Sequence, residues 1–285
     1  MKYCYAVFML FFSLSFISCE YKDLCYEHPH RMKVKVVFDW NKIKTELPRW
    51  MEVWLFPTEG GDVLHFQISD YENGTIQVSP GHYKALCYNG DTDHIMEKND
   101  DDYYSFLLTT NGMQPERIVC AIIPTVDIKI TNVEQVVSFT PEDAVMDVTV
   151  IIRNVKNLKS SKGMTGLISG ISSGLYVGDQ RCTDESLELF SEMEKMDSTT
   201  LKAKFVCFGH CPNVTQEHVF SVVASVEDGS YNAYHWAVSD QMHSKKQDPK
   251  HIEIVLDGLE LPENIGRESG IMTSVDGWQN IWIEI

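Results

Sequence analysis

The sequence predicts an all-β protein, two tandem antiparallel β-sandwiches preceded by an export signal. Three observations point there. Short runs of alternating apolar and polar residues recur along the chain, turn residues separate them, and only two segments carry a helical pattern. In the first block, Val34, Val36, Phe38 and Trp40 share one face of the run Lys33 to Trp40. Val53 to Phe56 is continuously apolar, and Val63 to Ile68 alternates. Ile76 and Val78 precede Pro80-Gly81, and Tyr83, Ala85 and Cys87 follow it. Pro presets φ and Gly tolerates φ > 0, so this arrangement predicts a hairpin.

A second block repeats the style. Met146, Val148, Val150 and Ile152 alternate with polar residues, as do Leu201, Ala203, Phe205 and Cys207. Phe220, Val222, Ala224 and Val226 follow, then Tyr234, Trp236 and Val238, then Ile252, Ile254 and Leu256, and finally Ile281 to Ile285. The two helical candidates are Asp184 to Met196, with Leu187, Phe190 and Met193 on one face and a surface turn as the alternative, and the acidic Ile95 to Tyr104. The polar stretch Thr131 to Thr140 places a domain boundary near Pro141, giving sandwiches over 31–140 and 141–285. Lys156 to Gly178 is rich in Ser, Gly and Lys but lacks the Gly-x-x-x-x-Gly-Lys-Ser/Thr order of a phosphate loop. It reads as a long loop or an irregular strand.

Charge narrows the function. The 285 residues include 24 Lys or Arg and 41 Asp or Glu, a net charge of −17. Nucleic acid is held by clustered Lys and Arg, so this balance argues against it, and it disfavours adsorption to anionic lipid through charge. At 44% hydrophobic and 11% aromatic the chain is too apolar to be disordered.

The amino terminus sets the compartment. Lys2 precedes the uncharged, mostly apolar run Ala6 to Ile17, which is too short for a bilayer span of about 20 residues and fits the core of a signal peptide over 1–18. Ser18-Cys19 then resembles the lipobox of bacterial lipoproteins, with Phe16 where Leu is usual. That resemblance makes Cys19 the lipid-modified first residue of the mature chain, followed by a linker over 19–30. Two or more acyl chains there would anchor stably, at about 0.8 kcal/mol per buried methylene. Cleavage removes Lys2 and no acid, taking the net charge to −18.

Cys25, Cys87, Cys120, Cys182, Cys207 and Cys211 remain, in a compartment that permits disulfides. Cys87 and Cys120 lie in apolar stretches and read as buried small residues. Cys207-Phe208-Gly209-His210-Cys211 carries zinc-ligand residue types, but zinc usually takes two spaced pairs and no second matching pair exists. We therefore expect no metal and no cofactor, and read Cys207 and Cys211 as a short-loop disulfide or as two unpaired thiols. Asp100-Asp101-Asp102 lacks the offsets of a calcium loop and reads as a solvated acidic loop. His28-Pro29-His30 offers two ligands, too few for a metal. No Gly-x-Ser-x-Gly elbow and no His-Glu-x-x-His motif occurs, so no catalytic residue is assigned.

Several short pieces taken in order carry a family resemblance: Cys25-Tyr26-Glu27-His28-Pro29-His30, Phe38-Asp39-Trp40, Trp54-Leu55-Phe56-Pro57, Pro80-Gly81-His82-Tyr83, Tyr88-Asn89-Gly90-Asp91-Thr92 and Ile168-Ser169-Gly170. Together they resemble the fimbrillin-like lipoproteins of Bacteroidetes, within them an uncharacterised domain family related to FimB-type anchor subunits of type V fimbriae. The resemblance implies two transthyretin-like sandwiches, display at the outer membrane, and a non-catalytic role in anchoring or assembling fimbriae. Fimbrial subunits or other surface proteins are the implied partners. Apart from Arg31 and Lys33 near the first strand, no basic processing site precedes a removable strand, which favours an anchor over a stalk subunit. The alternative is a surface module for glycans or host proteins, which would need Trp50, Trp236 or Trp278 on an outer face, whereas Trp40, Trp54 and Trp236, in alternating register with aliphatics, read as core. Partners are expected at sheet edges, and Gly277 to Ile285 is either the last strand of the second sandwich or a donated one.

Overall fold

The computed structural model describes residues 31–110, 112–211, 217–226 and 230–263, together with the backbone of 278–282. Cys19, Cys25, His28 and His30 lie outside the described residues. The protein is an all-β sandwich structure with one short helix, α1 (Ser239–Met242), among the described residues.

Alternation builds the first pair of sheets. The central strand β1 (Met32–Phe38) runs antiparallel to β4 (Thr75–Val78) and parallel to β9 (Gln135–Phe139). Facing this sheet is a second, in the order β10 (Glu142–Asp143), β8 (Val119–Ile128), β5 (Gly81–Asn89), β2 (Met51–Pro57) and β3 (Leu64–Ile68). Side chains two apart point to one face, so Val34, Val36 and Phe38 meet Met51, Val53, Leu55, Ala85 and Cys87 in one core, closed by Val137 and Phe139.

A second pair of sheets follows. β11 (Met146–Lys156) lies between β17 (Leu201–Cys207), antiparallel, and β20 (His251–Glu260), parallel, with β16 (Glu194–Lys195) beyond β17. The facing sheet runs β15 (Ser186–Glu192), β12 (Met164–Ser172), β18 (Val219–Ser225), β19 (Tyr231–Ala237) and β21 (Trp278–Trp282), the last parallel to β19. Val148, Val150, Ile152, Phe205, Phe220, Trp236, Ile254 and Leu256 fill the space between. Pairing is thus mostly antiparallel, but β1 and β11 each take a parallel partner from far along the chain.

A smaller sheet is shared by both halves of the chain. β6 (Ile95–Lys98) and β7 (Leu107–Thr110) pair with each other, and β7 pairs with β13 (Gly174–Tyr176), which pairs with β14 (Arg181–Cys182). A third core lies here, where Trp54, Phe56, Leu86 and Tyr88 from β2 and β5 pack with Phe106, Leu108, Leu175, Val177 and Phe208. Both faces of β2 are therefore buried, which is why Val53 to Phe56 is continuously apolar instead of alternating.

Three expectations need correction. Pro80-Gly81 does not close a hairpin, because β4 and β5 belong to different sheets and the turn passes the chain across the sandwich. Asp184 to Met196 is not a helix or a surface turn. It forms β15 and β16, and Leu189 and Met193 are buried while Phe190 points out. Its apolar residues fit both periods, and pairing with β12 selected the strand. Ile95 to Tyr104 begins as β6, whose Glu97 accepts a hydrogen bond from the Tyr88 hydroxyl. The polar stretch 131–140 contains β9, which completes the first core through Val137 and Phe139.

Candidate interaction surface

The end of the first sandwich carries an exposed apolar tip. β8 ends at the buried Ile128, and the chain crosses between sheets to begin β9. Gln135 closes this crossing: its side-chain amide donates to the Lys129 carbonyl at 2.9 Å, and its Oε1 accepts from the Lys129 N–H at 2.8 Å. Thr131 Oγ1 accepts from the Val133 N–H at 3.1 Å. With its backbone tied down, the loop holds Ile130 and Val133 in solvent at 75% and 74% exposure.

The surface continues onto β9. Val137 and Phe139 face the core, so Val136 points outward, 58% exposed, in register with Lys35 of β1. Among the described residues β9 pairs only with β1, leaving its other edge open. An open edge presents unpaired N–H and C=O groups to another chain, and burying each of these side chains would contribute about 1.5–3 kcal/mol. This chemistry suits protein contact. Composition hid the tip, because its three apolar residues are scattered through a polar stretch.

The acids near the junction of the sandwiches are engaged with one another's neighbours. A cleft of about 680 Å³ is lined by Lys42, Arg117, Glu142, Asp143, Asp147 and Asp248, among others. Lys42 Nζ lies 2.8 Å from Glu142, Arg117 Nε 3.0 Å from Asp143, and His251 Nδ1 3.2 Å from Asp147, while Asp248 accepts from the Lys250 N–H at 2.9 Å. Each of these acids thus has a partner, a Lys or Arg cation for Glu142 and Asp143, an imidazole for Asp147 and a backbone N–H for Asp248.

Other residues singled out in the sequence are placed as follows. Cys207 and Cys211 are separate thiols, with Cys207 Sγ 3.7 Å from the Met146 carbonyl and Cys211 Sγ 3.8 Å from that of Asp184. Burial pushes Cys207 up to about 12 and raises Cys211 as well. Trp236 is fully buried and unavailable for stacking on a sugar. Trp50 is half-buried, bonded through Nε1 to Glu52 at 2.8 Å, with the Arg49 guanidinium 5.1 Å from its ring centroid. The Trp278 side chain lies outside the described residues. Asp102 turns inward to its own loop, accepting from the Ser105 N–H and hydroxyl at 2.9 and 2.7 Å, and these bonds hold its carboxyl below the ordinary range.

Comparison with known proteins gives these surfaces a context. A family model described as a domain of unknown function, DUF5119, matches residues 18–192. A Bacteroides ovatus protein named "Putative fimbrium anchoring subunit Fim4B" is 23% identical over 225 residues, 74% of this chain and 67% of that protein. A crystal structure of a "putative adhesin" from Bacteroides ovatus matches with a TM-score of 0.67 at 19% identity, covering 86% of this chain and 98% of that one. The fimbrial anchor protein Mfa2 from Porphyromonas gingivalis matches with a TM-score of 0.54 at 15% identity, covering 80% and 90%. The structural likenesses show a shared fold.

Proposed function

This chain belongs to the DUF5119 family, and from that footing we propose that it is a non-catalytic cell-surface protein that anchors or helps assemble fimbriae through protein contacts. In this reading Cys19 carries the lipid, the outer membrane holds the protein, and fimbrial subunits add to exposed sheet edges. The similarity to a fimbrium anchoring subunit across 74% of the chain supports the role. The observation that carries it is the open edge of β9 beside the tip of Ile130, Val133 and Val136. An edge strand with an apolar flank supplies main-chain hydrogen bonds for affinity and side-chain contact for specificity.

Two measurements on cells test this together. Cys19→Ala is expected to move the protein from the membrane to the soluble fraction. In mild membrane extracts the unaltered protein is expected to co-purify with fimbrial subunits, and the double variant Ile130→Asp, Val136→Lys to lose most of that yield while remaining folded by circular dichroism. Membrane retention of Cys19→Ala would remove the lipid anchor from the reading. Undiminished co-purification of the double variant would remove the β9 edge.

A further inference from the structure

Three histidines meet at one end of the second sandwich. His210 follows β17 and bridges to Ile171, His218 immediately precedes β18, and His243 follows α1. Their ligand nitrogens all lie within 4.8 Å of one another, and His218 Nε2 is 3.1 Å from His243 Nε2. The ring centroids are 4.6 to 5.6 Å apart. Tetrahedral zinc with Zn–N bonds of about 2.0–2.1 Å places its nitrogens about 3.3 Å apart, so the pair His218–His243 already has that spacing.

The rings are oriented from behind. His218 Nδ1 is 3.1 Å from the Ser169 carbonyl and His210 Nδ1 is 3.2 Å from the Cys211 carbonyl. A carbonyl accepts only from N–H, which puts the proton on Nδ1 and a lone pair on Nε2 in both rings. Ligating histidines characteristically give their second nitrogen to a carbonyl or carboxylate in this way.

The backbone around His218 is shaped to hold it. Ser169, at a register shift in β12 between Ile168 and Ile171, lies against the ring through its carbonyl, and its Oγ accepts from the Val219 N–H at 3.0 Å. Ser239 Oγ accepts from the His218 N–H at 2.9 Å. At Gly170, where φ is +76°, a Cβ would stand 2.4 Å from His218 Nδ1, so the ring occupies space that only glycine leaves.

We propose that His210, His218 and His243 form a binding site for a divalent transition metal of the zinc type, with the fourth position open to water or to a donor from another molecule. Burial grades outward from His218 at 1% exposure through half-buried His210 to exposed His243, which gives the site one rigid wall and one accessible side. Three imidazoles suit zinc, copper and nickel better than calcium or magnesium. The local spacing around Cys207 to Cys211 supplies one ligand, and the fold brings the other two from positions 218 and 243. Metal would tie the end of β17, the start of β18 and α1 together.

The test uses the full chain without an affinity tag, with Co²⁺ as a visible probe and Zn²⁺ as competitor. One equivalent of Co²⁺ is expected to give the visible absorption of a tetrahedral site and to be displaced by Zn²⁺, which raises the melting temperature. His210→Ala and His243→Ala, both away from the buried wall, are each expected to weaken binding on the order of tenfold or more. His82→Ala, at an exposed histidine beside Asp127, is expected to bind as the unaltered protein does. Absence of saturable binding, or unchanged affinity in either His210→Ala or His243→Ala, would overturn the site.

Discussion

Cys87, Cys120 and Cys207 are buried thiols, and burial makes them weak acids. Cys87 is pushed well above its ordinary value, with Cys120 close by adding to the effect, while Cys120 and Cys207 are each pushed up to about 12. The unfolded chain would release these protons near 9.0. Above that pH the native state binds more protons than the unfolded state, so stability falls as pH rises. Urea midpoints are therefore expected to decline from about pH 9 upward, and Cys120→Ala to make that decline shallower. An unchanged alkaline slope in Cys120→Ala would mean that other groups control the titration. Burial of Cys87, Cys120 and Trp236 was legible because each lies among apolar neighbours in a run. The partial burial of Trp50 was not, because Gly90, just past β5, meets it only in the fold.

Among the elements, the Gly-rich stretch before residue 178 shows how a segment takes its form from its neighbours. Of its two readings, a long loop or an irregular strand, the second fits: it forms β12, with a register shift between Ile168 and Ile171, and β13, and the chain passes close against the first half of the protein. At Gly178 an added Cβ would fall 2.1 Å from the Tyr103 carbonyl oxygen, a backbone atom with little freedom to withdraw. Gly178→Ala is expected to destabilise the protein by about 1–3 kcal/mol, as overpacking does, measured by urea unfolding. A change below about 0.5 kcal/mol, typical of open surface, would show that this contact yields easily. In β15 the sequence was ambiguous for a related reason. Leu187, Phe190 and Met193 fit a helical face, but Leu187 and Leu189 fit a strand, and the open partner edge of β12 settled the choice.

For the whole molecule, the third core joins two sandwiches that would otherwise meet through a short connection. Phe106 is fully buried at its centre, 5.2 Å from Trp54, 6.0 Å from Tyr88 and 6.1 Å from Phe56 by ring centroid. Gln114 adds polar ties, donating to the Phe190 carbonyl at 2.6 Å and accepting from the Val206 N–H at 2.7 Å. We expect one cooperative unfolding transition for the unaltered protein. Phe106→Ala is expected to cost about 3–5 kcal/mol and to separate the transition into two, followed by calorimetry. A single transition with a small loss of stability would mean that the third core contributes little to coupling.

The sequence by itself determined the all-β class and the inward faces of the strands, because alternation is a local property carried by residues two apart. Val34, Val36 and Phe38, or Val148, Val150 and Ile152, declare a buried face before any partner strand is known. Tertiary structure alone decided which strands pair, since the parallel couples β1–β9 and β11–β20 join residues a hundred positions apart that no local pattern links. It also decided that Ile130, Val133 and Val136 are each left in solvent and that His210, His218 and His243 converge. These groupings depend on where loops between sheets leave the chain, and loop geometry follows from the packing of the cores.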